Sequence, residues 1–381
     1  MSTLETNAIG KYNGNNVSID DALNLKSYTT TDRDALTSAA GDMIYNSTDS
    51  KVQVYNGSSW SDLGTTAFTT EFVVIAGGGG GGGASGTKKP AGGAGAGGYI
   101  SSVTGENSGG GDSAVDKLIA VKGTQVTISI GAGGAGGPNN NSMGTKGTKT
   151  IFGSITAAGG GAGMCGNDVA RGESGTDDIF GGAAQHGGSG GGKGNGYTSN
   201  TESGVGTPGQ GHRGSRGAST WNYNAVSSGG GGGAGSEAEF VAQASYPTGS
   251  TEGANGGSGV TSSITGSAVG RAGGGGGGSY GNNPGIGSDG GGTGGNNASV
   301  GNPGTANTGG GGGGAATNTS AGLSAARAGG NGGSGVVIIS YDSSLGTLAN
   351  DGSSGGLTVS TSTSGSKRIY EFTAGTGTIT F

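Results

Sequence analysis

Apolar residues in this chain collect into short runs towards its two ends, and the long stretch between them has almost no hydrophobic pattern. Residues 71–76, Glu-Phe-Val-Val-Ile-Ala, lead without a turn residue into seven consecutive glycines. Residues 336–341, Val-Val-Ile-Ile-Ser-Tyr, follow the glycine-rich 329–335 in mirror fashion. Uninterrupted apolar runs of this length read as strands covered on both faces. Two of them bracketing one insertion predict a shared sheet that brings the insertion's ends together. Further strands are predicted at 99–103, 118–121, 125–130 and 150–157, bounded by glycine and polar turns, and they form a β-rich base. Beyond about residue 158 the strand signal fades.

The first 66 residues have a more ordinary pattern. Residues 17–25 and 31–40 each set a serine or threonine three positions before an aspartate, Ser18 to Asp21 and Thr31 to Asp34. This reads as two helix starts, with Gly41 ending the second. Residues 42–46 and 51–55, the Asn56-Gly57 turn and Trp60 spell a β-hairpin or short meander. Alternation of Val52 and Val54 with Lys51, Gln53 and Tyr55 predicts one apolar face. Near the end, 357–361, 368–373 and 375–381 read as strands joined by Gly/Ser turns, with Phe381 as a docked residue. The expected organisation is a small module at 1–66, a glycine-rich domain at 67–341 and a C-terminal β-hairpin element at 342–381.

Composition sharpens the middle segment. Glycine makes up 101 of the 381 residues, and 89 of these fall within 77–335. Leu, Ile, Val and Phe total 53, too few for a conventional core in a chain of this length. Disorder usually brings high net charge, yet the glycine-rich stretch holds 12 basic and 12 acidic residues, and the net charge of −6 lies in its flanks. Glycine runs recur at 159–161, 190–192, 229–233, 273–278 and 309–314, their starts 31 to 44 residues apart.

A flexible linker has no reason to recur inside closed strand brackets, and collagen needs abundant proline where this chain has six. Polyglycine II helices turn every three residues and have no internal hydrogen bonds. Without side chains, such segments can approach until their N–H and C=O groups pair. Ordering glycine is entropically unfavourable, so a bundle needs many packed segments with ends fixed by strands. A glycine-looped β-sandwich and a disordered segment are the competing readings. The expected fold class is all-β, with a glycine-rich, polyglycine II-like bundle on a β-strand base and two short helices near the N-terminus.

Two stretches resemble known families. Residues 33–60, with Gly-Asp-Met-Ile-Tyr-Asn at 41–46 and Val-Gln-Val-Tyr-Asn-Gly-Ser-Ser-Trp at 52–60, resemble a short module of tailed-phage structural proteins, including marine ones. An apolar strand running into glycine at 73–80, Gly-Gly-Tyr-Ile at 97–100, Val-Thr-Ile-Ser-Ile-Gly-Ala-Gly-Gly at 126–134 and Gly-Val-Val-Ile-Ile-Ser-Tyr at 335–341 resemble, in that order, the glycine-rich domain of phage tail-fibre proteins. The glycine-rich tip adhesins of T-even-like phages are more distantly similar, and this chain shows no similar N-terminal attachment region. The resemblance implies a virion tail fibre or adhesin for host attachment. It further implies synthesis in the host cytoplasm without a signal peptide, a homotrimer, other virion proteins as partners, and a host surface glycan or outer-membrane protein as receptor. The alternative is a purely structural virion or extracellular-filament subunit without receptor binding.

Chemical motifs exclude more than they assign. Residues 187–191 match G-x-S-x-G, but no strand precedes them, and His186 and His212 are the chain's two histidines. G-x-G-x-x-G arises by chance in so glycine-rich a stretch, and the phosphate-loop-like 187–193 continues with Gly194 where serine or threonine is required. No enzyme activity and no cofactor are expected. The single Cys165 offers neither a disulfide nor a cysteine metal cluster. Asp177, Asp178 and Asp289 lack the nine-residue calcium repeat, so no metal is expected. The Asn46-Ser47-Thr48 sequon lacks a secretory context. No apolar window is long enough to span a membrane, and a pI near 4.9 argues against nucleic acid.

Side chains suited to recognition return between the glycine runs: Tyr197, His212, Arg213, Arg216, Trp221, Tyr223, Tyr246 and Tyr280. Trp, Tyr and Arg are the usual anchors of binding surfaces. The same residues could cover the bundle or fill a seam between subunits.

Overall fold

The computed structural model describes residues 25–63, 67–84, 90–138, 142–166, 185–194, 203–217, 227–240, 252–317 and 326–381. The chain divides into two compact units, residues 1–66 and 67–381.

In the smaller unit β1 (Ser27–Tyr28), α1 (Thr30–Asp34), β2 (Met43–Asn46), β3 (Lys51–Tyr55) and β4 (Trp60–Asp62) follow in order. The strands form one sheet, β1-β2-β3-β4. The Asn56-Gly57 hairpin is present, with Tyr55 opposite Trp60. The helix expected over 31–40 shrinks to α1. Thr29, two residues before the expected cap, accepts the Asp32 amide, and no residue of α1 is buried. With no apolar face against a partner, nothing holds a second turn, and Gly41 (φ +99) serves the entry to β2 instead. The helix expected over 17–25 lies, up to Leu25, outside the described residues.

The apolar face expected from Val52 and Val54 is also reversed, since both are half-buried and the side chain turned inward is Gln53. Its Oε1 accepts from Arg33 at 2.8 Å and from Asn46 at 3.1 Å, and its Nε2 donates to Asp62 at 2.8 Å. A hydrogen-bonded polar network thus occupies the interior of a unit too small for a large apolar core.

The larger unit contains β5 (Phe68–Ile75), β6 (Tyr99–Ser101), β7 (Leu118–Ala120), β8 (Gln125–Ser129), β9 (Thr150–Phe152), β10 (Ile155–Ala157), β11 (Val260–Ser262), β12 (Val269–Arg271), β13 (Val336–Asp342), β14 (Thr358–Ser364), β15 (Lys367–Ala374) and β16 (Thr376–Thr380). A central sheet runs β14-β15-β13-β5-β6, with β7 also on β5; a second runs β10-β9-β8-β16, and β11 and β12 form a hairpin. The two bracketing strands pair as predicted, β13 antiparallel to β5.

Both faces of that pair are covered. Phe72, Val74, Val337 and Ile339 pack with Ile128, Phe152 and Ile379 of the second sheet. Val73, Ile75, Val336 and Ile338 point the other way, onto Tyr99, Ile264 and the alanines Ala96, Ala234 and Ala272. Successive strand residues face opposite sides, so double coverage requires the unbroken apolar run. The strand expected over 150–157 is two, β9 and β10, folded back at Gly153 (φ +58), where a side chain would be strained. Residues 342–381 contribute β14 and β15 to the central sheet and β16 to the second. Phe381 is buried, and its amide donates to the Thr124 carbonyl at 2.9 Å.

Between the bracketing strands the glycine segments form a hydrogen-bonded lattice. The amides of Gly77, Gly80 and Gly83 donate to Thr148, Thr145 and Ser142; those of Gly78, Gly81 and Ala84 donate to Gly333, Gly330 and Arg327; those of Ala76, Gly79 and Gly82 donate to Gly98, Gly95 and Gly92. The intervening carbonyls accept from Gly160, Gly163 and Gly166, from Gly134 and Gly137, and from Gly312 and Ala315. Every third residue turns to the same neighbour. The segment therefore has three residues per turn and six neighbours, three antiparallel and three parallel, which is polyglycine II packing. A Cβ on Gly80 would overlap the Ala135 carbonyl, and one on Gly81 the Gly313 carbonyl.

Segments at the bundle surface carry the same period in sequence. Gly131, Gly134 and Gly137 are buried while Ala132, Ala135 and Pro138 are exposed. In Gly-Thr-Lys-Gly-Thr-Lys at 144–149, Gly144 and Gly147 donate inward to Gly163 and Gly160. Side chains satisfy amides left over at the surface. Gly136 donates to Asn331 Oδ1 at 2.8 Å, Ala135 to Thr145 Oγ1 at 2.8 Å and Ile286 to Asn255 Oδ1 at 2.7 Å. Unpaired donors at an edge would otherwise invite another chain.

Candidate recognition surface

Glycine segments turn back at the end of the bundle remote from the strands. Ala84, Ala91 and Ala315 form a small apolar cluster there. Ser279 bridges to Ser227 and to Asn296 at the same end.

Residues 211–217, Gly-His-Arg-Gly-Ser-Arg-Gly, repeat the surface triplet. The Gly214 amide donates inward to Gly204 at 3.0 Å, the His212 and Ser215 amides donate to Gly233 and Gly230, and the His212 and Ser215 carbonyls accept from Gly190 and Lys193. The threefold turn places Arg213 above Arg216 on one face and His212 above Ser215 on another, one turn apart, or roughly 9 Å. Ser215 is buried, with Oγ accepting the Gly230 amide, and His212 Nε2 is buried without a hydrogen-bond partner. The histidine-serine face is thus packed inward. Arg213 and Arg216 are half-buried and lie in register, and a guanidinium is a planar donor fork of the kind that binds carboxylate and phosphate groups.

Tyr280 is half-buried and directly follows Ser279. A Cβ on Gly217 would meet Ser227, which bridges to Ser279, so Arg216 and Tyr280 stand at the same end of the bundle. Tyr197, Trp221, Tyr223 and Tyr246 lie outside the described residues. What sequence reasoning missed is the arginine register. Its signal was Gly211, Gly214 and Gly217, spaced by three and therefore facing inward.

The other motifs fall into structural positions. Ser189 of the G-x-S-x-G match is fully buried within the bundle, its amide donating to Ala96 at 2.9 Å. Lys193 is buried and Cys165 half-buried. Asp289 accepts the Gly259 amide at 2.7 Å. Asn46 of the sequon is fully buried, with Nδ2 donating to Gln53 and Asp49. Among the described residues, no group of three or more His, Cys, Asp and Glu is placed to hold a metal ion, and no helix is long and apolar enough to cross a membrane.

A family model described as a glycine-rich domain matches residues 56–342 of the chain. No curated protein matches it.

Proposed function

The chain belongs to the glycine-rich domain family, and we propose that it is a phage virion tail fibre or adhesin that recognises the host-cell surface. The observation that carries this reading is the register of Arg213 above Arg216 on a surface segment, at the end of the bundle that also holds Tyr280. Most interior positions of the bundle are glycine because backbone meets backbone there, with small residues such as Ala94 and Ser189 at others. Side-chain identity is free to vary only at outward positions and at the turns, which is the division of labour a receptor-binding scaffold needs. Two guanidinium forks and aromatic residues suit a host surface glycan or the polar loops of an outer-membrane protein. The proposed setting is a virion component, made in the host cytoplasm, that self-associates as a trimer and joins other virion proteins.

Exchanging residues 197–224 between related fibres is expected to move host range, and the double substitution Arg213→Ala, Arg216→Ala to lower adsorption at least tenfold with the fold intact. Unchanged adsorption in both would overturn the proposal. Continuous lateral arrays of the protein on the particle, without binding to cells, would mark a structural subunit instead.

A further inference from the structure

The two large sheets of the larger unit end in edges that are treated differently. Gln210 closes β10, with Nε2 donating to the Thr156 carbonyl at 3.2 Å and Oε1 accepting the Ala158 amide at 2.7 Å. Asn350 closes β16 by exchanging backbone hydrogen bonds with Thr380 and donating from Nδ2 to the Thr378 carbonyl. At β6 the Tyr99 amide donates to Gln210 and the Ser101 carbonyl accepts from Val115, and β7 is three residues long. The remaining edge, β14, has seven residues. The direction of its backbone groups follows from the ladder. The Ser343 amide donates to the Ser366 carbonyl, one step beyond Asp342 opposite Lys367. Antiparallel partners alternate between bonded and non-bonded pairs, so Arg368 and Tyr370 bond to β13, and Lys367, Ile369 and Glu371 to β14. Ser360, Ser362 and Ser364 therefore turn their backbone groups towards β15, and Val359, Thr361 and Thr363 turn theirs outward. Among the described residues, nothing pairs with these outward amides and carbonyls.

Open edges are ordinarily blunted by brevity, charge, proline or bulges. Residues 358–364, Thr-Val-Ser-Thr-Ser-Thr-Ser, carry no charge and no proline, and their one irregularity lies at Thr358/Val359. The strand is also nearly the same read in either direction from Thr361: Ser360 mirrors Ser362, and Val359 mirrors Thr363, alike in β-branching. A second strand laid antiparallel, with Thr361 on a twofold axis, sets Thr361 opposite its own copy and each Val359 opposite a Thr363. Outward amides then meet outward carbonyls, β-branched residues stand opposite each other, and no charged pair is brought together. A twofold contact requires such a self-complementary patch. We infer that β14 pairs with β14 of a second copy of this chain, joining the two central sheets edge to edge. Because the other edges are closed or short, association through strands stops at the pair.

The test is sedimentation equilibrium of the purified full chain. An even number of chains is expected: two, or six if the chain also forms the trimer proposed above. Thr361 is exposed, so Thr361→Lys and Thr361→Glu each set like charges face to face on the axis without disturbing the core. Each should weaken pairing at least tenfold with the circular dichroism spectrum unchanged. Mixing the two variants should restore pairing, since lysine then meets glutamate. A parent of one or three chains up to about 1 mM, pairing indifferent to both substitutions, or variants that separate and do not recombine would overturn the inference. The measurement needs no cells and does not involve Arg213 or Arg216, so its outcome is independent of the host-recognition proposal.

Discussion

Ile75 and Val336 lie opposite each other in the β5–β13 ladder, although the whole glycine-rich segment separates them in sequence. Their pairing closes one very long loop, and such closure becomes only slowly more unfavourable with length. The apolar core beneath the pair therefore fixes both ends of the lattice. Phe72→Ala removes a fully buried ring whose centroid is 5.3 Å from that of Phe152. It is expected to cost about 3–5 kcal/mol and to lower one cooperative transition of the larger unit. Two separate calorimetric transitions would show that the bundle stands without its base.

Glycine substitutions should divide sharply by position. In Gly81→Ala the new methyl would fall on the Gly313 carbonyl, whereas a Cβ on Gly355 meets nothing within 4 Å. The first is expected to destabilise by about 1–3 kcal/mol or more, the second by less than about 0.5. Chemical denaturation of both variants checks this, and equal midpoints would contradict the packing described.

Acid should weaken the edge of the central sheet. Burial pushes the Glu71 carboxyl up, but the hydrogen bond and charge of Lys117, with Lys367 and Thr104 adding to them, leave it below the usual glutamate range. The Lys117 contact is 2.8 Å. A depressed carboxyl contributes stability above its unfolded value of about 4.3, and that contribution is lost as pH falls through the folded value. Lys117→Met should therefore be less stable than the parent at pH 7, by about 0.5–1 kcal/mol for a pair still partly open to solvent. The gap should close below about pH 4. A gap that stays constant down to pH 3 would show that the ion pair contributes nothing.

Alkali should act through two tyrosines. Burial raises the hydroxyl pKa of Tyr99 and Tyr341, and for Tyr341 the hydrogen bond and charge of Tyr370 add to it. The folded state keeps both neutral while the unfolded chain ionises near about pH 10, so stability falls above that pH by up to about 1.4 kcal/mol per unit per group. In a spectrophotometric titration, two of the 11 tyrosines should ionise only as the protein unfolds. Ionisation of all of them before unfolding would refute it.

Much of the strand base was legible because its determinants are contiguous. The runs at Val73 and Val336 announce two covered faces, and Asn56-Gly57 announces its hairpin. The N-terminal helix was misjudged because Thr31 and Asp34 form a local start signal, while a helix's length depends on a partner face that α1 lacks. The inward turn of Gln53 rests on Arg33, Asn46 and Asp62, which are scattered through the sequence. The β11–β12 hairpin has three-residue strands beside glycine and offers too little pattern to read. Arg213 and Arg216 were visible as residue types, but their shared face depends on the threefold turn.

The threefold turn of the glycine segments has a counterpart in the gene. Three residues are nine nucleotides, so an in-frame gain or loss of nine returns every outward side chain and inward glycine to its place. A change of one codon rotates the rest of the segment by a third of a turn, and the next Thr145 or Arg213 points into a neighbouring carbonyl. Insertions tolerated within the lattice should therefore come in steps of three codons, while the turns at its ends accept any whole number.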